Sequence, residues 1–308
     1  MREQIPIFFS TDDNYAPYLD VALISLIDNA SPLYDYKIII LNTGISPENK
    51  ELLKRNEGQG VEIEFIDISK HLDSIKQRFK NVYHFSIVTY YRLFIASLFP
   101  EYDKVIYLDS DLVVLGDISE LYRTRLGDNI LGAAPEQFVQ STKEFREYAK
   151  AALGVDPDKY VNAGVLLMNL KEYRRNRIED KFVELITEYD FDLLDPDQAY
   201  LNYLCYGKIQ ILPKVWNQEP LSLDAEAKNR IVHYALYKKP WQYDDVIYGE
   251  HFWNYAKRSP FLENIISAKE SFSEADRKEK EQTARDILLH AKKIVNSDET
   301  FYKKLCTK

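Results

Sequence analysis

The sequence is poor in the residues that build several common kinds of site. Its only cysteines are Cys205 and Cys306, and two distant cysteines form neither a disulfide framework nor a zinc site. Basic residues do not predominate, since 40 Lys and Arg stand against 49 Asp and Glu for a net charge of −9. This composition excludes the clustered positive charge of a nucleic-acid-binding protein. An anionic substrate would therefore need a metal ion or a few placed cations.

Long apolar runs are also lacking. The longest clean one, Val21 to Ile27 with a single Ser, is far too short to span a membrane. The apolar run that precedes Asp12 is too short for a signal peptide. Together with the scarcity of cysteine, these features predict a cytoplasmic protein.

The sequence does contain a regular alternation of apolar strands and amphipathic helices. With 308 residues, of which 45% are apolar, the chain can bury a large core. Three strand–helix alternations before residue 104 predict an α/β fold with a Rossmann-like, mostly parallel sheet flanked by helices. The predicted strands are Ile5–Phe9, Tyr36–Leu41, Val61–Ile68, a strand from Lys104, Val161–Leu170, Ile209–Leu212 and Arg230–His233. The predicted helices are Pro17–Ala30, one opening at Ser46, Ser86–Leu98 and Ile178–Tyr189.

The last forty or so residues change character. Ser273 and Asp276 have the spacing of a capping box at the start of a helix. An apolar stripe follows at helical spacing: Ala284, Ile287, Leu288, Ala291, Ile294 and Val295. We predict one domain over residues 1–265 and a helical C-terminal extension over residues 266–308. The stripe favours a helix packed on the body of the protein, and a partner-binding or peripheral membrane-surface helix is the alternative.

An apolar strand that runs into two aspartates is the strongest local signal. The segment KVIYLDSDLVVLGDI places Asp109 and Asp111 directly after Leu108. The carboxyl end of a parallel strand is where ligands bind in open α/β sheets. Three other Asp-x-Asp pairs lack such a strand, so the context carries the signal. Two chemistries fit: a divalent metal that holds a diphosphate, or an aspartyl nucleophile as in haloacid-dehalogenase-type phosphatases.

Several separated motifs decide between these chemistries. They are FFSTDDNY (8–15), TYYRL (89–93), YLDSD (107–111), VNAGVLLMNL (161–170), DPDQAYLN (195–202), HYALYKKPW (233–241) and FWNYAKRSPF (252–261). Because these motifs occur in this order, the chain resembles glycosyltransferase family 8, the retaining GT-A enzymes related to bacterial lipopolysaccharide galactosyltransferases and glycogenin. The resemblance spans roughly residues 5–261. It implies a GT-A fold, a UDP-hexose donor and a divalent metal.

The resemblance first implies a nucleotide site after the first strand. Asp12, Asn14 and Tyr15 match positions that hold the uracil ring and the ribose. A carboxylate and an amide can read the imide edge of the base, and an aromatic ring can stack on it. Ser10 matches a position that contacts the base, and Val82 matches the lining of the same pocket.

The metal and the diphosphate come next. Asp109, Asp111 and His233 match the three protein ligands of Mn²⁺ or Mg²⁺, and Ser110 matches a position near the ribose. Lys239 matches a cation that contacts the diphosphate as a point charge. Glycine is frequent in the family three residues after the metal histidine, whereas this chain has Leu236, where close backbone approach to the phosphate is harder.

The remaining matches surround the transferred sugar. Arg92 matches a cation that orders the metal-site acids, and Asp197 matches a group that accepts hydrogen bonds from the sugar. Gln198 matches a residue near the anomeric carbon. Small residues at the turn that faces the sugar let the backbone approach the donor; they are Asn162, Ala163 and Gly164.

Gln198 also bears on the mechanism. An amide is a poor nucleophile, whereas a retaining glycosidase uses a carboxylate. The resemblance therefore implies substitution at the front face of the sugar, with the departing phosphate as base. Glu136 matches an acidic position near the acceptor.

Other functions remain open from the sequence. A sugar nucleotidyltransferase is disfavoured because residues 9–20 contain no glycine for a phosphate-binding loop. A haloacid-dehalogenase-like phosphatase with Asp109 as nucleophile, or a non-catalytic sugar-nucleotide binder, are the alternatives. Side-chain identities do not choose between a glucose and a galactose donor, or between a glycan, a glycolipid and a glycoprotein acceptor.

Overall fold

The computed structural model describes residues 2–71, 87–224, 228–235 and 237–306. Val82 and Leu236, two predicted substrate-binding residues, lie outside the described residues. The strands are β1 Glu3–Ser10, β2 Tyr34–Asn42, β3 Val61–Asp67, β4 Lys104–Leu108, β5 Leu112–Val114, β6 Leu131–Pro135, β7 Val161–Asn169, β8 Ile209–Ile211 and β9 Ile231–His233. The α-helices are α1 Ala16–Asp28, α2 Pro47–Lys54, α3 Ile95–Leu98, α4 Ile118–Tyr122, α5 Gln137–Ser141, α6 Lys143–Glu147, α7 Leu170–Arg175, α8 Ile178–Glu188, α9 Pro196–Leu204, α10 Gly249–Ala256, α11 Leu262–Ser271 and α12 Glu274–Asn296.

Seven strands form the central sheet in the order β3-β2-β1-β4-β7-β6-β8. β1 pairs in parallel with β2 and β4, and β3 pairs in parallel with β2. β7 runs antiparallel to both of its neighbours, β4 and β6. The predicted mostly parallel sheet flanked by helices is confirmed, and β5 and β9 form a second, two-stranded sheet.

β4 lies at the centre of the sheet and is buried on both faces. Its side chains alternate: Val105 and Tyr107 pack into one core, and Ile106 and Leu108 pack into the other. A strand with two covered faces needs apolar residues throughout, which explains the continuous apolar run in the sequence.

The segment before β4 differs from its prediction. One helix was expected over Ser86–Leu98, but the described part is a 3₁₀ helix at Ile87–Phe94 that continues as the single turn α3. The 3₁₀ part has the sequence IVTYYRLF, which is rich in β-branched and aromatic residues. Such residues lose side-chain freedom in an α-helix, so the α-helical form is weakly favoured here.

The C-terminal helix α12 begins with the predicted capping box. The Ser273 hydroxyl accepts a hydrogen bond from the Asp276 N–H at 3.2 Å, and the Asp276 carboxylate accepts from the Ser273 N–H at 2.8 Å. Ala291 and Ile294 of its apolar stripe are buried. Among the described residues, no helix combines the length and apolar content that a membrane crossing requires. The division at residue 265 stays a prediction.

Candidate active site

Strand direction and register bring distant segments to one edge of the sheet. β1 and β4 are parallel, so their carboxyl ends lie together. β7 is antiparallel, so its beginning reaches the same edge, where the Asp109 N–H donates to the Gly164 carbonyl at 2.8 Å. In the small sheet, Leu112 of β5 pairs with His233 of β9. Each strand thus delivers one group of predicted site residues.

Asp109, Asp111 and His233 form a candidate metal site. One ligand atom from each lies within 4.8 Å of the others. His233 Nε2 is 3.1 Å from Asp111 Oδ1 and 3.7 Å from Asp109 Oδ2. A Cβ atom on Gly164 would lie 2.1 Å from His233 Cε1 and 2.6 Å from Asp109 Oδ2, so only glycine leaves the cluster its space. Two carboxylates and an imidazole suit Mn²⁺ or Mg²⁺, and this donor set fits such an ion.

A chain of buried amides sets the tautomer of His233. The Gly164 N–H donates to Asn162 Oδ1 at 2.8 Å, which fixes the orientation of that amide. Asn217 Nδ2 donates to the same Oδ1 at 2.8 Å, so Asn217 Oδ1 faces His233 Nδ1 at 2.9 Å. His233 Nδ1 therefore carries the proton, and the Nε2 lone pair is directed toward the two aspartates. Sequence reasoning missed Asn217, which follows a short 3₁₀ turn and belongs to no recognisable motif.

Arg92 is buried and joins three parts of the site. Its guanidinium bonds Asp109 at 2.8 Å and Asp197 at 3.1 Å, and it donates to the Ala163 carbonyl. It also lies over the ring of Tyr107, 4.5 Å from the ring centroid, and the Tyr107 hydroxyl donates to Asp109 at 2.9 Å. Arg92 thus orients Asp109 and Asp197 together.

Lys239 lies on the other side of the aspartate pair. Its ammonium is 2.6 Å from Asp111 Oδ2 and also donates to the Tyr234 carbonyl. Burial opposes ionisation of Asp111, but the adjacent Lys239 ammonium holds its pKa well below the ordinary value. Asp111 is therefore a carboxylate throughout the neutral range and able to bind a cation.

The first turn of α9 carries Asp197 and Gln198. Burial raises the pKa of Asp197, while Arg92 opposes that rise. Gln198 Oε1 accepts from the Ala163 N–H at 2.8 Å, so its Nε2 donates to Asp195 Oδ2 at 2.6 Å. The side-chain amide of Gln198 is thereby fixed in one orientation.

Asp195 is a second group that sequence reasoning missed, although it belongs to the DPDQ motif. It is the N-cap residue of α9, but its side chain makes no capping bond and accepts from Gln198 and from the Tyr160 hydroxyl at 2.8 Å. Burial raises the pKa of Asp195 to about 7, with Tyr160 opposing the rise. The spacing of Asp195 and Gln198, three apart at a helix start, was the available signal.

Glu136 lies deep in the same region. It accepts from Asn162 Nδ2 at 2.7 Å and is 3.4 Å from Gln198 Nε2. Behind it is the fully buried Glu219, whose pKa is raised well above its ordinary value by burial and by the charge of Glu136. This shift favours the protonated form of the Glu219 carboxyl.

The predicted nucleotide-binding residues lie along the end of β1. Ser110 Oγ donates to the Ser10 carbonyl at 2.9 Å, which joins the two strand ends. Asp12 Oδ1 accepts from the Tyr15 N–H at 2.9 Å, as expected for a residue just before a helix. Asn14 and the ring of Tyr15 are exposed, and that ring packs edge-to-face on Trp241 at 6.5 Å.

A pocket of about 520 Å³ joins most of these groups, a size typical of ligand sites. Of the predicted residues, it is lined by Arg92, Asp109, Asp111, Glu136, Asn162, Ala163, Gly164, Asp197, Gln198, His233 and Lys239. A larger depression of about 1020 Å³ lies elsewhere, between residues 141–157 and Tyr302, and holds none of the predicted site residues.

Comparisons with known proteins place the chain among glycosyltransferases. The model of the family described as glycosyl transferase family 8 matches residues 6–245. General stress protein A of Bacillus subtilis is 28% identical over 274 residues, which cover 86% of this chain and 92% of that protein. A lipopolysaccharide 1,2-glucosyltransferase of Escherichia coli is 25% identical, over 96% of this chain and 88% of that protein.

Solved structures agree in fold. The galactosyltransferase LgtC, in complex with donor and acceptor sugar analogues, has a TM-score of 0.65 and 30% identity, over 83% of this chain and 96% of that one. The apo structure of the bifunctional glycosyltransferase WbbM has a TM-score of 0.75 and 25% identity over 88% of this chain. This chain covers 52% of WbbM, about half its length.

Proposed function

Because the chain belongs to glycosyltransferase family 8 and has the GT-A fold, we propose that it is a retaining hexosyltransferase. It moves glucose or galactose from a UDP-sugar to a hydroxyl group of a cell-surface glycan, a glycolipid or a glycoprotein. The names of relatives that transfer glucose or galactose support this choice of hexose. Membership of the family also removes the reason to assign Asp109 the role of a phosphatase nucleophile.

One observation carries the proposal: metal-type ligands, cations and side chains able to hydrogen-bond a sugar line a single pocket. Asp109, Asp111 and His233 lie beside Lys239 at one part of its wall, and Asp197 with Gln198 lies at another. A nucleotide sugar needs this combination, because its diphosphate is anionic and its hexose is rich in hydroxyl groups.

Asp109, Asp111 and His233 would hold Mn²⁺ or Mg²⁺. When bound, the ion neutralises the diphosphate and stabilises UDP as a leaving group. Lys239 pairs with Asp111 and lies beside the triad. Its ammonium would supply the diphosphate with a second positive charge.

The side-chain amide of Gln198 favours substitution at the front face of the sugar, the face that UDP leaves. Its Oε1 accepts a hydrogen bond from the Ala163 N–H, which further weakens an amide oxygen that is already a poor nucleophile. Its Nε2 is held by Asp195, which keeps the amide in place beside the hexose. Asp197, oriented by Arg92, accepts hydrogen bonds from the sugar hydroxyls, and Glu136 orients the acceptor hydroxyl.

The test is UDP release from UDP-glucose and UDP-galactose with Mn²⁺, compared between the wild type and Asp111→Asn. We expect release from one donor, with its abolition by a chelator and by the substitution. Asp158→Asn is the matched control, because Asp158 belongs to another Asp-x-Asp pair and bonds the exposed Arg146 at 2.7 Å. This control should keep full activity.

Two results would contradict the proposal. UDP release that persists in Asp111→Asn and in chelator would remove the metal site from the reaction. Binding of UDP with no turnover of either donor, alone or with an acceptor panel, would identify a non-catalytic sugar-nucleotide binder.

A further inference from the structure

Helix α12 contributes side chains to the lining of the pocket and is anchored near both of its ends. Near its beginning, the Arg277 guanidinium lies over Tyr243, 4.8 Å from the ring centroid. Near its end, Lys292 pairs with Glu144 of α6 at 3.2 Å. Between these anchors, Lys280, Thr283, Ala284 and Ile287 line the same pocket as the candidate metal ligands.

The pocket has two chemically different walls. The strand ends supply the charged wall described above. A second part of the lining is apolar and comes from α5, α6, the segment before α9 and helix α12; its members are Phe138, Val139, Phe145, Leu194, Ala284 and Ile287. We call this set the apolar wall.

The donor accounts for the charged wall only. The uridine-binding candidates Asp12, Asn14 and Tyr15 are not among the lining residues of this pocket, and the diphosphate belongs with Lys239 and the metal triad. A hexose held by Asp197 and Gln198 exposes hydroxyl groups, which do not require an apolar surface. The apolar wall therefore faces the second substrate.

We propose that the acceptor is a glycoside with an apolar group next to the sugar that receives the hexose, and that Ile287 of α12 contacts this group. The inference rests on the proposed function and deepens it, since it names the acceptor chemistry. Ile287 is 40% exposed, although it belongs to a stripe whose later members Ala291 and Ile294 are buried. An apolar side chain at a pocket mouth gains from contact with an apolar ligand.

The contribution of α12 lies outside the part of the chain that the family model matches. The family model ends at residue 245, whereas the lining residues of α12 begin at Lys280. The charged wall thus comes from the part that the family model matches, and Ala284 and Ile287 of the apolar wall come from beyond it.

The experiment compares matched acceptor pairs that differ only in the group on the anomeric oxygen: phenyl against methyl glycosides of glucose, galactose, N-acetylglucosamine and mannose. Affinity for each is measured by calorimetry with the protein loaded with UDP and Mn²⁺. For at least one sugar, we expect the phenyl glycoside to bind about tenfold more tightly, or about 1.4 kcal/mol. In Ile287→Ser this advantage should fall to threefold or less.

Leu289→Ser is the matched control, because Leu289 is 63% exposed on the same helix and does not line the pocket. It also places a serine on an exposed position of α12 but should keep the phenyl preference. UDP release from the donor alone is measured in the wild type and should be unchanged in Leu289→Ser, so a failure of the proposed function is recognised separately. The inference is overturned if no pair shows a phenyl preference, or if Ile287→Ser retains it in full.

Discussion

At the scale of single residues, the tautomer of His233 is determined by residues that are not candidate metal ligands themselves. An unambiguous donor, the backbone N–H of Gly164, orients Asn162, which orients Asn217, which places the proton on His233 Nδ1. Each step removes one alternative hydrogen-bonding pattern. The outcome is an imidazole with its lone pair ready for a cation.

Replacement of Asn217 should therefore weaken metal binding although no candidate metal ligand is changed. For Asn217→Leu, which has nearly the same shape but no hydrogen bonds, we expect Mn²⁺ affinity to fall roughly 10–100-fold. Asn217→Asp keeps an oxygen for His233 Nδ1 and should retain most of the affinity. Mn²⁺ titration by electron paramagnetic resonance measures both, and Asn296→Ala at the exposed end of α12 is the control. Equal losses in the Leu and Asp variants would contradict the tautomer argument.

Asp195 gives the site a pH dependence. Its pKa of about 7 in the folded chain exceeds its ordinary value near 3.8, so the folded state binds this proton more tightly than the unfolded state. The stabilising effect of that proton is complete at low pH and is lost as pH rises toward 7. Above pH 7 the carboxylate is charged in both states, and the loss is constant.

We expect Asp195→Asn to remove this part of the pH dependence. Between pH 5 and 7, the free energy of unfolding of the wild type should decline relative to the variant, by at most about 1.4 kcal/mol per pH unit. Urea unfolding at four pH values measures the difference in the free energy of unfolding between the two proteins. The contributions of the other titrating groups cancel in this difference. Parallel curves for both proteins would show that Asp195 does not titrate in this range.

At the scale of elements, the reversed direction of β7 determines the site. A parallel strand would present its end to the edge where β4 ends, whereas β7 presents its beginning, Asn162 to Gly164. Gly164 is then opposite Asp109 and directly against His233. The small residues of that turn are required by contact with the side chains of the metal site as well as by the expected approach of the sugar.

Gly164→Ala should consequently disrupt the candidate metal site. The added methyl group would lie 2.1 Å from His233 Cε1, so the imidazole must move. We expect the free energy of unfolding to drop by about 1–3 kcal/mol and Mn²⁺ binding to be lost. Gly58→Ala is the control, because a Cβ there meets nothing within 4 Å. Guanidinium unfolding and Mn²⁺ titration of both variants check this, and wild-type Mn²⁺ affinity in Gly164→Ala would refute it.

The sequence predicted elements better than contacts between them. β1, β2, β4 and β7 were found because buried strands need apolar runs, and α12 because its capping box and stripe are local patterns. The 3₁₀ form of Ile87–Phe94 was missed, because three- and four-residue spacings are alike over so short a stretch. Asn217 and Asp195 act through bonds to Asn162, His233 and Gln198, which only the folded chain brings near them. The sequence predicted that the whole apolar stripe of α12 packs on the body of the protein. In the structure Ala291 is buried, whereas Ile287 lines a pocket.

At the scale of the whole molecule, the candidate metal site connects two sheets. Asp109 and Asp111 follow β4 of the large sheet, and His233 ends β9 of the small one. A bound ion would link these sheets and relieve the repulsion between the two carboxylates. Metal binding should therefore stabilise the native chain as a unit.

We expect saturating Mn²⁺ to raise the melting temperature and a chelator to reverse the rise. At one hundred times its Kd, a ligand adds about 2.7 kcal/mol, which for a chain of this size is roughly 5 °C. Differential scanning calorimetry of the wild type and Asp111→Asn measures the effect, which the variant should lack. A rise of the same size in Asp111→Asn would place the stabilising ion elsewhere.

The sequence separation within the site has a consequence for biosynthesis. Asp111 and His233 are 122 residues apart. At ribosomal rates, His233 is therefore synthesised roughly 6–24 s after Asp111. During that interval the strands β3-β2-β1-β4 are already synthesised, while β9 is not. The complete three-ligand set therefore cannot nucleate the first half of the sheet, which has to be held by its own apolar core. The candidate metal site is therefore completed late in the synthesis of the chain.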